Sequence, residues 1–409
     1  MQPYRRLSLI ICLLISYKAF ANEQGLFDFD LSEPQKNKQK WQTDAYIEFR
    51  PRYLTEQKES LSSRLSGSLN LKLSNNNWRS FISLSSEYDN VKSGYRSPLR
   101  NNIDEAYLSY DGPETDITIG KQRVNWGATD GISTIARVNA IDFRDPIKNG
   151  RTASRRSSWL LRLQHTNGFG DFEAVWLPRG RDRKLAEPGS PWETPALNHL
   201  RQLQQDGSVE LSIEDPHHHE FGLRYQRYGQ GLDWGMAVYD GYSDAPTVVT
   251  GSDSSVTLSP ERIRIWNLNA VYAFPKSTLR GEIAYTDQVS VNGLTGKRRQ
   301  AIFGWDTTLL TDLYINAQVF WNSYTALEDE YGATVALTKP LLGGAIETGL
   351  SGQFARQQQK ATEIFIDYSL NDNLTLSGRY FKFSGSAGTP LGTFRENDFL
   401  ELSLRWDIF

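Results

Sequence analysis

The densest run of chemistry-bearing side chains lies between Lys121 and Arg156. Eight basic residues fall there: Lys121, Arg123, Arg137, Arg144, Lys148, Arg151, Arg155 and Arg156. Three acidic ones accompany them: Asp130, Asp142 and Asp145. An excess of five positive charges in one stretch would favour anions in a narrow passage, because rings of Arg and Lys act as anion filters. The same arginines could instead pair with carboxylates elsewhere, such as Glu48, Glu87 and Glu105, and brace the stretch. Both can hold at once, since a transverse field needs both signs. The candidate residues are therefore Arg123, Asp130, Arg137, Asp142, Arg144, Asp145, Arg151, Arg155 and Arg156, with Glu105 as a partner.

Other chemistry is thinly supplied. The five histidines include the run His217-His218-His219. Adjacent residues point in different directions, so three in a row rarely share one metal ion without further ligands. His165 and His199 have no partner at useful spacing, which leaves little for a Ser/His or Asp/His catalytic pair. No glycine-rich phosphate loop or zinc-protease motif is present. No catalytic residue, metal site or cofactor is expected, and the chain is not read as an enzyme.

The first residues have the form of a secretory signal. Arg5 and Arg6 precede a short apolar core, Leu7 to Ile15, and Ala19-Phe20-Ala21 is a small-x-small cleavage site. Residues 1–21 are the expected signal peptide, 22–42 a polar periplasmic lead-in, and 43–409 the folded body. The single cysteine, Cys12, lies inside the signal, so the mature chain has no thiol chemistry. Without the signal, 42 basic residues face 48 acidic ones, a net charge of −6, which is not a nucleic-acid binder's balance. No later segment approaches the roughly 18 continuous apolar residues of a membrane helix. Yet Trp, Tyr and Phe total 49, and polar, aromatic-rich, cysteine-free composition suits an outer-membrane barrel.

The elements that must carry the basic stretch are strands. From Leu61 to Leu73 leucines alternate with Ser, Arg, Asn and Lys, the period-two pattern of a strand with one apolar and one polar face. Eighteen such runs start near Ala45, Leu61, Trp78, Ile103, Ile117, Trp159, Phe172, Phe221, Leu232, Ile263, Leu279, Ala301, Ile315, Ala333, Ile346, Ile364, Leu374 and Phe399. Every second connection is tight, such as Ser74 to Asn77 or Gly229-Gln230-Gly231. Those between are longer, the longest running from about Lys121 to Ser157 and from about Pro178 to His219. The latter contains a weak helical pattern over Trp192 to Gln205. Sorted loops of this kind predict an all-β fold: a transmembrane antiparallel up-and-down β-barrel of about 18 strands, in the range 16 to 20, with short periplasmic turns and long extracellular loops. Lipid tolerates only a closed sheet, and a barrel of this size has room for a lumen. Tyr53, Trp78, Tyr110, Trp159, Trp176, Tyr272, Trp305 and Trp321 are placed to form aromatic girdles on its outer face.

Three segments carry a resemblance. Gly120-Lys121-Gln122 through Trp126-Gly127 to Asp130, then Asn139-Ala140-Ile141-Asp142-Phe143-Arg144, is similar to a motif of a widespread, largely uncharacterised family of Gram-negative outer-membrane barrels. That family resembles porins and alginate-export barrels. Asp104-Glu105-Ala106-Tyr107-Leu108 resembles a strand common in porins. Ala140 stands where the family tends to have proline. The final strand, ending Trp406-Asp407-Ile408-Phe409, resembles the signal read by the barrel-assembly machinery, with Asp407 replacing the usual hydrophobic residue third from the end.

The resemblance implies fold and a bacterial outer-membrane location, amid lipid and lipopolysaccharide. The function expected is a porin-like channel for small solutes, anionic ones among them. Its lumen would be narrowed by the third long loop folded inward. Two alternatives stay open: the exit component of an export system for a polymer or hydrophobic product, working with a periplasmic partner, and a receptor or adhesin with a blocked lumen. A homotrimer is compatible with the first reading.

Overall fold

The computed structural model describes residues 40–89, 99–129, 131–136, 138–147, 155–181, 184–216, 218–251, 254–291, 294–309, 312–325 and 328–408. The expected signal, most of the lead-in, Asp130, Arg137, Lys148, Arg151, His217 and Phe409 lie outside them.

Strict alternation of apolar and polar side chains produces one closed ring. Its first half is β1 (Lys40–Leu54), β2 (Glu59–Asn75), β3 (Trp78–Asp89), β4 (Leu99–Asp111), β5 (Thr115–Gln122), β6 (Ser158–Asn167) and β7 (Gly170–Leu177). After β8 (Glu210–Ile213), which lies off the ring, come β9 (Glu220–Arg227), β10 (Leu232–Thr250), β11 (Ser255–Ala273), β12 (Ser277–Val291) and β13 (Leu294–Leu309). The ring ends with β14 (Leu313–Tyr324), β15 (Glu330–Leu341), β16 (Ile346–Ala355), β17 (Gln359–Asn371), β18 (Leu374–Ser384) and β19 (Phe399–Asp407). Each ring strand pairs antiparallel with the next, β7 pairs with β9, and β19 returns to β1. Eighteen strands thus close the barrel, and each of the eighteen expected starts falls in a different one. β8 is the addition: it runs parallel to the upper part of β11.

The two faces are sorted as a bilayer requires. On β19, Leu400, Leu402, Leu404 and Trp406 are 43–50% exposed, whereas Glu401 and Ser403 between them are 2% and 7% exposed. The large apolar side chains thus stand outside and the charged ones inside, the inverse of a soluble core. Aromatics mark both rims. Trp78 and Tyr110 pack edge-on at 5.1 Å at the turn end, and Trp176 stacks on Phe221 at 6.5 Å near the loop end.

All turn-end connections have four residues or fewer. At the other end, 90–98, 123–157, 178–219 and 385–398 are long, while the remaining five have fewer than six residues. There the strands themselves lengthen: β10 and β11 each have 19 residues. The wall is therefore uneven, since β5, β7 and β9 have only eight residues each.

Candidate functional site

The connection 123–157 leaves β5 and turns inward over the lumen. Asn139 holds its two ends together. Its Oδ1 accepts the Val124 amide at 2.6 Å, and its Nδ2 donates to the Gln122 carbonyl and Ser158 Oγ, both at 3.2 Å. Val124, Trp126, Ile135 and Val138 pack into one buried cluster with Leu160, Val175, Tyr239 and Ile265 on the inner wall. Trp126 is fully buried. Gly222 makes room for it: a Cβ there would lie 2.5 Å from Trp126 Cη2.

Gly127 adopts φ +116° and carries no Cβ, which would meet Ser133 Oγ at 2.1 Å. The following turn wraps round Glu282, an inward residue of β12 that is 1% exposed. Glu282 Oε1 accepts the Ala128 amide at 2.6 Å, the Thr129 amide at 2.9 Å and Thr129 Oγ1 at 2.8 Å. Its Oε2 accepts the Thr134 amide at 2.8 Å, Thr134 Oγ1 at 2.9 Å and Ser133 Oγ at 3.0 Å. A carboxylate buried this deeply is tolerable because both oxygens are surrounded by donors. Asn267 Nδ2 adds a 2.7 Å bond to Thr134 Oγ1.

The loop then crosses to the opposite seam. Asp145 accepts Arg52 Nη1 at 3.0 Å on one oxygen and Arg64 Nη1 at 2.8 Å on the other. Arg52 also donates to Glu401 at 2.5 Å and to the Ile147 carbonyl at 3.1 Å. Asp142 accepts Arg144 at 2.6 and 2.8 Å and Arg156 at 3.4 Å. Burial works against the Arg144 charge. The bond and charge of Asp142, with Glu187 and Glu87 behind it, outweigh that and raise its pKa. Arg123 gives its amide to Glu105 at 2.8 Å and its guanidinium to the same carboxylate at 3.4 Å. Arg155 donates to the Asn139 carbonyl at 2.6 Å.

The described candidates are thus all engaged within the loop or with the wall, and of the three expected wall carboxylates Glu105 serves this loop directly. Glu87 takes Arg64 at 3.2 Å and Glu48 takes Arg50 at 2.7 Å. Lys121, Arg123, Arg144, Arg155 and Arg156, with Asp104 and Asp142, surround a cavity of about 50 Å³ beside β4 and β5. Asp130, Arg137 and Arg151 lie outside the described residues.

The connection 178–219 covers part of the mouth. At its start Arg181, 3% exposed, is held by Glu220 at 3.2 Å and Asp244 at 3.0 Å. Trp192 then inserts among Phe383, Phe394 and Phe399, with ring centroids 5.7–6.2 Å away. The helical pattern is present as α1 (Pro195–Gln205), capped by Thr194; it starts three residues later than Trp192 because Pro195 opens it. His165, on β6, has a partner that its spacing did not reveal: its Nδ1 lies 2.9 Å from Thr115 Oγ1. Among the described residues no His, Cys, Asp and Glu group is arranged to hold a metal.

Between this folded-in loop and the far wall remains a cavity of about 450 Å³. Gly131 and Ile147 border it on the loop side, and Asn316, Thr334, Gln353 and Phe381 on the wall side. Glu282, Gly222 and Asp145's partners Arg52 and Arg64 were not legible as site residues. Alternation marks Glu282 as inward, but nothing in the local sequence says that a loop 153 positions earlier reaches it.

No protein-family model matches the chain. No curated protein matches it either. Among solved structures it is similar to Acinetobacter baumannii OccAB4, with a TM-score of 0.55 and 10% identity over 91% of this chain and 98% of that one. It is likewise similar to Acinetobacter baumannii OccAB3, at 0.55 and 7% identity over 90% and 98%. Pseudomonas aeruginosa OccK5 (OpdH) gives 0.54 and 9% identity over 90% and 97%. At such identities the likeness is one of fold, and that fold is the porin-like β-barrel of outer membranes.

Proposed function

We propose that this protein is an outer-membrane channel for small solutes whose bore is set by the loop 123–157. The observation that carries this reading is the docking of that loop on Glu282 beside a cavity of about 450 Å³ bounded by loop and wall together. A porin-like fold with a polar interior is what a water-filled passage needs. In this reading Arg123, Asp142, Arg144, Asp145, Arg155, Arg156 and Glu105 hold the constriction in shape, with Asp130, Arg137 and Arg151 belonging to the same loop. The signal at residues 1–21 sends the chain across the inner membrane, and the last strand delivers it to the barrel-assembly machinery.

The test is single-channel conductance in a planar bilayer. The full chain is expected to give stable open steps. Deletion of 130–151 is expected to raise the conductance and change ion selectivity. If the deletion leaves both unchanged, the loop does not set the bore. No conductance from folded protein would favour a partner-gated exporter or a receptor.

A further inference from the structure

The passage beside the loop differs in chemistry from the loop itself. The cationic cluster sits on the β4–β5 side, where Arg123 meets Asp104 and Glu105, Arg144 and Arg156 share Asp142, Arg155 meets Asp244 and Lys121 donates to the Ile103 carbonyl. Paired charges leave little field beyond about one Debye length, ~8 Å at physiological salt. The larger cavity lies across the ring, against β14 to β18.

Among the described residues the part of this wall formed by β14 to β16 borders the cavity with uncharged side chains, while β17 and β18 hold Glu363, Asp367 and Arg379 in one ion-paired cluster. Asn316 faces Ala336 and Ala336 faces Ser351, while Thr334 faces Gln353 in the next row. These four side chains form a compact patch of amides and hydroxyls. Among the described residues Glu363 is the charged group that borders the cavity, and it is engaged by Arg379 at 2.8 Å and by Ser351 Oγ at 3.1 Å. Above the patch stand Phe381, stacked on Phe399 at 4.6 Å, and Ile147 from the loop.

We propose that this neutral wall selects the solute, and that the solute class is uncharged and hydroxyl-rich, as in small sugars and polyols. Such a molecule exchanges its water hydrogen bonds for those of Asn316, Thr334, Ser351 and Gln353 and lays its apolar face on Phe381. An ion in the same place sheds hydration and, among the described residues that line the cavity, meets only Glu363, which Arg379 already holds. The inference rests on the channel reading, but it moves selectivity from the arginines to the opposite wall.

The experiment uses the full-length protein in liposomes and planar bilayers. The probes are glucose, its carboxylate analogue glucuronate and its amine analogue glucosamine. Glucose is expected to enter several-fold faster than either charged analogue, with a reversal potential near zero under a potassium chloride gradient. Gln353→Arg is expected to shift the reversal potential to the anion side and to speed glucuronate relative to glucose. Open channels that prefer glucuronate already in the unaltered protein would overturn the neutral-wall inference and leave the channel reading intact. A Gln353→Arg protein that conducts with unaltered selectivity would also overturn it, because the path would then run elsewhere. Folded protein without conductance would sink both readings together.

Discussion

Glu282 shows how a single side chain can decide the shape of a lumen. Three backbone amides and three hydroxyls converge on it. Replacing Glu282 with alanine leaves the amides of Ala128, Thr129 and Thr134 without acceptors, each costing about 1–3 kcal/mol if it stays dry. The turn is therefore expected to lift from the wall. Single-channel records of Glu282→Ala should show larger and noisier open steps than the unaltered protein, while heat-resistant migration of the barrel is unchanged. Steps of unchanged size and noise would mean that Trp126 and Asp145 hold the loop without it. The arginines have a different duty. Arg52 is 2% exposed and finds Asp145, Glu401 and the Ile147 carbonyl, so it ties the loop to the seam where the barrel closes.

Among the elements, β4 and β19 show two ways of meeting lipid. β4 extends past its partner β5, because pairing stops at Ala106 and Lys121. The exposed edge is closed by side chains: Lys121 Nζ donates to the Ile103 carbonyl at 2.6 Å, and Ser157 Oγ donates to that of Asp104. Free strand edges are costly in a bilayer, and this edge is capped where the loop departs. β19 depends instead on strict alternation. Leu402 is half exposed at the middle of the strand, so Leu402→Arg is expected to destabilise the barrel by about 2–4 kcal/mol, the range for a charge on a lipid face near the midplane. Urea titration of the protein refolded into vesicles measures this. A change within error would place that face out of the hydrocarbon.

In the molecule as a whole, two loops and one wall interlock. The loop 123–157 is fastened to β12 through Glu282 and to β1 and β2 through Asp145. The loop 178–219 crosses above it. Phe143 donates its amide to the Lys184 carbonyl at 3.0 Å, and Trp192 reaches Phe383 and Phe399 on the far side. Trp192→Ala removes the anchor, and deleting a large buried ring of this kind costs about 3–5 kcal/mol. The expected result is rapid tryptic cleavage at Arg201 in folded protein, with the barrel core still protected. Equal resistance in both proteins would mean that Arg181 alone pins the loop.

The amino-acid sequence determined the barrel because alternation is a local signal: a side chain's face follows from its parity, and tight turns show in Asn, Gly and Pro. All eighteen ring strands and the outward aromatics were legible on that basis, and so was the short helix, whereas the inward course of the third long loop was expected from the porin resemblance. The four-residue β8 was not, since its pairing with β11 depends on a strand more than forty positions away. The site was legible only in part. Sequence showed that Lys121 to Arg156 is rich in positive charge and offered Glu105 as a partner, but did not show the other contacts, because pairing depends on which wall the loop lies against. Only the tertiary structure placed Glu282 under the turn, Gly222 under Trp126 and Arg52 beside Asp145. Only it left the passage to Asn316, Thr334 and Gln353, since what a loop leaves open depends on distances across the ring that no neighbouring residues encode.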